Sequence, residues 1–171
     1  TLSDAFTPRP PRQFIVSNLI KLPSLTIVYG VPGTMKSMLL ADLCGAVASG
    51  SIWLPDLKEN RIGFKTIKGG CLWIDLDNGA DETLGRFDAI GKTRNKLTAE
   101  SPLYFVSMPN PWLDASKETR IDQLSDLIKS HDVKLVVIDN LGCVIGKSDE
   151  NSADMAQVMS HFRRLVDQCG I

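Results

Sequence analysis

The chain has 171 residues, of which 43% are hydrophobic, and its 19 basic residues nearly balance its 20 acidic ones, for a net charge of -1. This length suits about one domain with a sizeable core, and the near-neutral charge argues against a protein that grips duplex DNA over its whole surface. No stretch is apolar for the roughly 18 residues that a membrane span needs. Four cysteines stand without paired spacing, which indicates reduced, mostly buried thiols of a cytoplasmic protein.

Short apolar runs alternate with segments of helical periodicity along the chain. After a Pro-rich lead-in over 1–12, strands are predicted at 25–29, 71–76, 103–106 and 134–138, with a short hairpin strand at 62–67. Helices are predicted at 36–49, where Gly50 provides the stop, around Leu84, Phe87 and Ile90, after a cap at Ser116, and at about 153–168. Apolar strands between helices indicate an α/β fold with a mostly parallel sheet and helices on both faces. We expect a lead-in segment over 1–18 and one domain over 19–171.

Residues 30–37 carry the Walker A pattern of a phosphate-binding loop, directly between a predicted strand and a predicted helix. The backbone amides of such a loop and the N-terminus of the helix converge on phosphate oxygens, a lysine adds a positive charge, and a hydroxyl ligates Mg²⁺. Lys36 and Ser37 are in register for the last two roles. The pattern predicts that the chain binds ATP with Mg²⁺. The residues expected at the nucleotide are Gly30, Val31, Pro32, Gly33, Thr34, Met35, Lys36, Ser37 and Met38.

Met35 departs from the pattern, which has a second glycine at that position. Glycine favours positive φ, where a residue with a side chain costs on the order of 1 kcal/mol. That cost is small beside the charge-assisted contacts that a triphosphate makes, and Gly33 keeps the loop adaptable. The alternatives are a strand-to-helix turn with an incidental Lys-Ser pair and a degenerate loop that no longer binds.

Two of the predicted strands end in carboxylates. Asp139 follows four hydrophobic residues, which is the Walker B form, and such a carboxylate can hold Mg²⁺ through a bound water. Asp75 and Asp77 stand at the end of the 71–76 run, where alternation would place both on one face. One of them could orient the water that attacks the γ-phosphate. The alternative for this pair is that both cap the next helix or bind loop amides.

With these motifs the chain resembles the RecA-like P-loop ATPases, in the branch of RepA-type hexameric replicative helicases and related AAA-type bacterial, plasmid and phage ATPases. The resemblance runs from about residue 19 to residue 171. It rests on LTIVYGVPGTMKSMLLADLCGAVASG, on GGCLWIDLDNGADETLGRFDAIG, and on VKLVVIDNLGCVIG followed by SADMAQVMSHFRRLVDQCGI. It implies Mg-dependent ATP hydrolysis on a RecA-like P-loop NTPase fold, with Lys36 and Asp77 as catalytic residues and Ser37 and Asp139 at the metal.

Further roles are implied by the resemblance alone. The catalytic carboxylate of the family is usually Glu, and Asp77 matches it with a side chain that is one methylene shorter. Arg86 is placed near the nucleotide or a subunit boundary; a solvent-exposed arginine on an amphipathic helix is the alternative. Family members form rings or filaments, so the resemblance implies a homo-oligomer such as a hexameric ring. It also implies a helicase-type motor in DNA replication or mobile-element transactions, with single-stranded DNA as partner.

In RecA-like sheets, the strand after the last helix lies between the Walker A and Walker B strands. Such a strand would begin only at residues 169–171 here. We therefore expect a domain that is incomplete at its C-terminus, with the arginine finger and the sensor residues beyond Ile171. If the chain folds as given, the sheet must close up or recruit a strand from another copy.

Three further patterns bear on function. A non-catalytic nucleotide-binding module that controls assembly remains an alternative, favoured by Met35 and Asp77. A kinase-like phosphotransferase is disfavoured, because residues 51–70 contain too little arginine for a lid. The basic cluster of Lys92, Arg94 and Lys96 is better explained by a solvated loop than by a nucleic-acid site.

Overall fold

A computed structural model describes residues 1–8, 10–55, 62–145 and 153–171, so part of the arginine-poor segment 51–70 lies outside the described residues. The helices are α1 (Leu2–Ala5), α2 (Lys36–Ser49), α3 (Ala80–Thr93), α4 (Glu118–Ser130) and α5 (Ala153–Cys169), and a 3₁₀ helix covers Leu141–Ile145. The strands are β1 (Gln13–Val16), β2 (Ile20–Leu22), β3 (Gly70–Asp75), β4 (Leu103–Ser107) and β5 (Val133–Asp139).

A three-stranded parallel sheet in the order β4-β3-β5 forms the centre of the described fold. All six residues of β3 are buried, as a continuous apolar run predicts for a strand with neighbours on both sides and helices on both faces. Asp75 at the end of β3 is in register with Ser107 of β4 and with Asp139 of β5. The carboxyl ends of the three strands therefore meet at one edge of the sheet.

Two hydrophobic clusters cover the two faces of this sheet, and alternate residues of β3 contribute to each. Leu72 and Ile74 pack in one cluster, whereas Cys71 and Trp73 pack in the other. The first cluster takes its helical residues from α4 and α5, among them Ile121, Leu124, Ile128, Val158, Phe162 and Leu165. The second takes its residues from α2, α3 and β1, among them Leu43, Cys44, Val47, Ile90, Ile15 and Val16. The predicted α/β fold with a parallel sheet and helices on both faces is confirmed, and it is consistent with a RecA-like P-loop NTPase domain.

A hairpin that the sequence did not predict precedes the phosphate loop. Strands β1 and β2 pair antiparallel, and Asn18 takes a positive φ of 61° in the turn between them. Ile15 and Val16, which belong to the expected lead-in over 1–18, are buried in the core. Residues 1–8 and 10–12 are exposed, and the short helix α1 lies in the first of these two stretches.

The strand predicted at 25–29 is wrong as a strand, because these residues pair with no strand in the described part of the chain. β5 is an edge strand of the described sheet, and beside it lies a groove of about 250 Å³ whose lining also includes residues 25–28. We call this groove the slot. Ile27 and Val28 at the slot are about half exposed, and the Ile171 carbonyl there accepts a hydrogen bond from the Ser24 N–H over 3.0 Å. The sheet has therefore not closed up across the slot.

Two smaller predictions also need correction. Residues 62–67 form isolated bridges rather than a hairpin strand: Thr66 pairs with Val16, and Phe64 pairs with Trp53. Ser116 does not cap α4, whose N-cap is Lys117; the Ser116 hydroxyl instead donates to Asp114 over 2.6 Å. In both cases the local sequence pattern favoured a regular element or cap, but the residue forms a different contact in the structure.

The four cysteines all lie within the described residues and form no disulfide there. Cys44 and Cys71 are buried, and Cys143 and Cys169 are half-buried. A hydrogen bond with Cys71 and burial raise the pKa of Cys44 well above its ordinary value. A thiol that stays protonated is a poor nucleophile, so Cys44 behaves as part of the apolar core.

Candidate nucleotide site

The phosphate loop joins residues 25–29 to the N-terminus of α2, as the Walker A pattern predicts. Helix α2 begins at Lys36 and ends at Ser49, where Gly50 takes the left-handed conformation with φ of 66°. The predicted helix and its stop are thus confirmed. The loop residues before Lys36 are exposed, so their backbone amides at the helix N-terminus are open to a ligand.

Lys36 is folded back onto its own loop. Its Nζ donates hydrogen bonds to the carbonyl oxygens of Gly30 over 2.8 Å and Val31 over 3.0 Å, with the Thr34 hydroxyl at 3.5 Å. These bonds hold the positive charge over the loop. A phosphate oxygen that replaced the two carbonyls would meet an ammonium group already in place, and the new bonds would be charge-assisted on both sides.

Met35 adopts the backbone conformation that the missing glycine would favour. Its φ of 59° and ψ of 26° are left-handed, and Gly33 nearby has a φ of 80°. The Met35 side chain is 69% exposed, so the cost lies in the backbone and not in packing. That cost is about 1 kcal/mol, and the loop forms in spite of it.

Ser37 and Asp139, which lie 102 residues apart in the chain, both line the slot. Lys36 and Asn140 line it as well. These four residues supply one ammonium, one hydroxyl, one carboxylate and one amide group. Among the described residues no three His, Cys, Asp or Glu side chains could hold a metal ion by themselves.

Asp75 and Asp77 have different surroundings, which corrects the prediction that they share a face. Strand β3 ends at Asp75, so the alternation does not continue to Asp77. Asp75 is fully buried, whereas Asp77 is exposed and accepts a hydrogen bond from the Asn140 amide over 3.1 Å. Asp75 thus takes the alternative role of binding loop amides, and Asp77 alone can meet water.

The electrostatics of Asp75 reflect two opposing effects. Burial raises the pKa of its carboxyl group, but hydrogen bonds from the backbone and side chain of Asn78, from the Ser107 hydroxyl and from the Asp77 backbone outweigh it. The net pKa of Asp75 lies well below its ordinary value. The group is therefore a buried anion under any physiological condition.

Arg86 lies at the same edge of the sheet, on α3. Its side chain is only 12% exposed, and Nη1 is 3.5 Å from Asp139 Oδ2. Nη2 donates to Asn78 Oδ1 over 3.2 Å, and Nε lies 3.5 Å from Glu82. The alternative of a solvent-exposed arginine is wrong, since the guanidinium group lies beside three polar side chains, one of which is the Walker B carboxylate of Asp139.

Two residues of this arrangement were missed at the level of sequence. Asn140 holds Asp77, and Asn78 donates to both Asp75, over 3.0 Å, and Asp139, at 3.5 Å. Their signal was their position: each stands within three residues after the end of a parallel strand. Polar residues at that edge generally bind ligands or orient the groups that do.

The comparison with family profiles bears on this site. Residues 1–171 match the profile of the family described as the AAA domain. The chain belongs to the AAA domain family. The comparison with curated proteins gives no match.

An AAA domain is an ATP-binding P-loop domain, so the family accounts for the loop at 30–37 and supports ATPase activity. The parallel sheet and its flanking helices agree with this family. In the described part of the AAA domain, none of the helices is long and apolar enough to cross a membrane.

Proposed function

We propose that this AAA domain binds ATP with Mg²⁺ and hydrolyses it at the carboxyl edge of the sheet. The observation that supports the proposal is that Lys36, Ser37 and Asp139 line the same slot. The first two come from the start of α2 and the third from the end of β5, so two independent motifs supply one site. A strand-to-helix turn without function would not explain why the Walker B carboxylate lines the same slot as the Walker A residues.

The phosphates of ATP bind between the loop amides and Lys36. We propose that the β- and γ-phosphates take the lysine from the Gly30 and Val31 carbonyls that hold it at 2.8 and 3.0 Å. The remaining contacts come from the loop residues Gly30, Val31, Pro32, Gly33, Thr34 and Met35 and from Met38 in the first turn of α2. The dipole of α2 favours the same negative charge.

The residues at the metal position fit Mg²⁺. Magnesium prefers oxygen ligands and keeps several waters, so one hydroxyl and one carboxylate suffice. Ser37 and Asp139 are the residues that would hold it. When bound, Mg²⁺ neutralises charge on the β- and γ-phosphate oxygens.

Asp77 is the residue that we propose orients the attacking water. Its carboxylate is exposed and anchored by Asn140, which leaves acceptor positions free for a water molecule. Arg86, 3.5 Å from Asp139, is proposed to contribute positive charge beside the nucleotide. The catalytic role of Asp77 is proposed from the family resemblance and not from the geometry.

The wider setting that we propose is a cytoplasmic helicase-type motor, a homo-oligomeric ring that acts on single-stranded DNA in replication or mobile-element transactions. Support for this setting is the RepA-type resemblance alone. Two residues of the basic cluster already have acidic partners: Arg94 is 10% exposed and paired with Asp42, and Lys92 is paired with Asp88. The cluster is therefore not part of the support for this setting.

A nucleotide-binding module without turnover is the second candidate. The observation that favours it is Asp77, which is shorter than the family's usual Glu by one methylene and is held by Asn140 on its own edge of the sheet. In such a module ATP occupancy would control assembly while the γ-phosphate stayed intact.

Binding and turnover are separated by measuring both on the same variants. The variants are the wild type, Lys36→Ala, Asp77→Asn and Asp139→Asn, each with a fluorescent ATP analogue and with a phosphate-release assay, with and without Mg²⁺. We expect Lys36→Ala to lose binding, and Asp77→Asn to keep binding but lose turnover. Tight ATP binding with no Lys36-dependent turnover in the wild type would establish the binding module instead. Binding that is unaffected by Lys36→Ala would overturn both candidates.

A further inference from the structure

Asp75 is a buried anion whose charge is balanced by hydrogen bonds and not by a cation. Its exposed fraction is 0%, and among the described residues no lysine, arginine or histidine forms an ion pair with it. Arg86, on the neighbouring helix α3, contacts Asp139, Asn78 and Glu82 instead. An unpaired charge in a protein interior is costly unless hydrogen bonds replace the lost water. The donors around Asp75 therefore show which segments of the chain its carboxylate holds in place.

Six donors surround the two oxygens of Asp75, three to each. Oδ1 accepts from Asp77 N over 3.2 Å, from Asn78 N over 3.0 Å and from Asn78 Nδ2 over 3.0 Å. Oδ2 accepts from Gly79 N over 2.7 Å, from Thr83 Oγ1 over 3.2 Å and from Ser107 Oγ over 2.8 Å. Three of the six are successive backbone amides of the turn that leaves β3. A fourth is the side chain of Asn78 in the same turn, and the hydroxyls of Thr83 and Ser107 link the carboxylate to α3 and β4.

The turn at 77–79 is thus wrapped around one carboxylate. Gly79 completes the wrapping with a φ of 92° and a ψ of 167°, a conformation that is essentially restricted to glycine, and it is also the N-cap of α3. Because the backbone amides of residues 77–79 point inward at Asp75, the Asp77 side chain is directed outward to the sheet edge. There it meets Asn140, the residue after β5.

We propose that Asp75 is a positioning residue, which holds the turn at 77–79 in the conformation that presents Asp77 at the ATP site. The proposal rests on the proposed function of Asp77. Asp75 is fully buried and cannot reach nucleotide or bulk water, so it acts only through the turn. The donors from Thr83 and Ser107 fix the carboxylate itself, so the turn is anchored to both α3 and β4.

The decisive substitution is Asp75→Asn, which keeps the size of the side chain. The amide can take two orientations. In one its NH₂ group faces the backbone N–H of Gly79, and in the other it faces that of Asn78, so two donors oppose each other and the hydrogen bonds to one of the two oxygens are lost. We expect kcat for ATP to fall at least about tenfold, while the dissociation constant of the ATP analogue changes less than about twofold. The phosphate loop lies on a different element and is not touched.

A matched control and a second variant separate positioning from general destabilisation. Asp42→Asn makes the same chemical change at a partly buried carboxylate that forms an ion pair with Arg94, over 2.6 Å, and has no contact with the turn at 77–79 in the structure. It should lower thermal stability and leave kcat within about twofold of the wild type. Gly79→Ala alters the turn through its backbone alone, because a Cβ there meets no atom within 4 Å. It should reduce kcat without changing ATP affinity, and it serves also if Asp75→Asn does not fold.

Hydrogen exchange at the amides of residues 77–79 provides a readout that does not depend on turnover. Slow exchange in the wild type and fast exchange in Asp75→Asn are expected. Fast exchange together with unchanged kcat in Asp75→Asn and Gly79→Ala would overturn the positioning role. Equal exchange rates in the wild type and in the variants would show that Asp75 does not hold the amides of residues 77–79. A wild type without Lys36-dependent turnover would instead count against the proposed function, and the exchange result would then stand on its own.

Discussion

The Asn140 amide donates a hydrogen bond from Nδ2 to Oδ2 of Asp77 over 3.1 Å, which joins the residue after β5 to the turn after β3. The neighbouring backbone bond from Leu76 N to the Asp139 carbonyl, at 2.7 Å, runs between the same two strand ends. The Walker B strand and the candidate catalytic turn are therefore linked both through the backbone and through side chains.

Replacing Asn140 should affect turnover more than binding. Asn140→Ala removes the neutral-to-charged hydrogen bond to Asp77, worth about 1.5–3 kcal/mol, part of which water restores. It also removes the bond that Asn140 Oδ1 accepts from the Cys143 N–H over 3.2 Å. We expect kcat to fall roughly three- to thirtyfold with little change in ATP affinity. Asn140→Asp should be slower still, because two carboxylates would then face each other. Phosphate release and analogue binding measure the two effects, and a turnover rate in Asn140→Asp equal to that of the wild type would contradict the link.

The Gly variant should be more stable than the Ala variant at position 35 and less stable than it at position 38. Met35 has a φ of 59°, so Met35→Gly should be more stable than Met35→Ala by about 1 kcal/mol. Met38 lies within α2, where Met38→Gly should be less stable than Met38→Ala by a similar amount. Urea unfolding of the four variants measures both differences. The same order at both positions would mean that Met35 is not left-handed in solution.

The acid dependence of stability should contain a contribution from Asp75. Its pKa in the folded chain is depressed below the ordinary value of 3.8, so the carboxylate stabilises the fold fully above that value. The contribution is lost as the pH falls below about 4 towards the depressed pKa. Asp75→Asn lacks it at every pH. The difference in free energy of unfolding between wild type and Asp75→Asn should thus be largest near neutral pH and should shrink between about pH 4 and about pH 2.5 in urea titrations.

Two helical glycines should respond oppositely to alanine. A Cβ at Gly45 would lie 2.9 Å from Ile90 Cγ2 and 3.3 Å from Arg94 Cδ, so α2 and α3 would have to separate. Gly45→Ala should destabilise the fold by about 1–3 kcal/mol. A Cβ at Gly91 in α3 would meet no atom within 4 Å, so Gly91→Ala should stabilise the fold by roughly 0.5–1 kcal/mol. Thermal unfolding of the pair tests the close approach of the two helices.

Local pattern was sufficient for most of the core elements. Helix α2 and strands β3, β4 and β5 lie within one or two residues of their predicted bounds, because the periodicity of their apolar residues is strong and their ends carry clear signals. The left-handed conformation of Met35 was likewise predictable, since the Walker A pattern specifies glycine there. For these parts the information is contained in a short window of sequence.

The remainder depended on contacts that no short window contains. Residues 25–29 have the composition of a strand, but a strand also needs a partner, and the slot lies where the partner would be. The hairpin of β1 and β2 was missed although Asn18, a residue that tolerates positive φ, marked its turn. The contact of Asn140 with Asp77 depends on the ends of β3 and β5 lying side by side, and the bond from Ser107 to Asp75 depends on β4 lying beside β3.

The slot has a mechanical consequence for the candidate site. Ser37 borders it from the side of α2 and Asp139 from the side of β5, so the distance between the hydroxyl and the carboxylate follows the separation of its two walls. A change in the apolar lining, at Leu43 or Val136 for example, would move the two walls without altering any polar atom at the site. Nucleotide affinity would thereby be linked to the packing of the slot's hydrophobic lining.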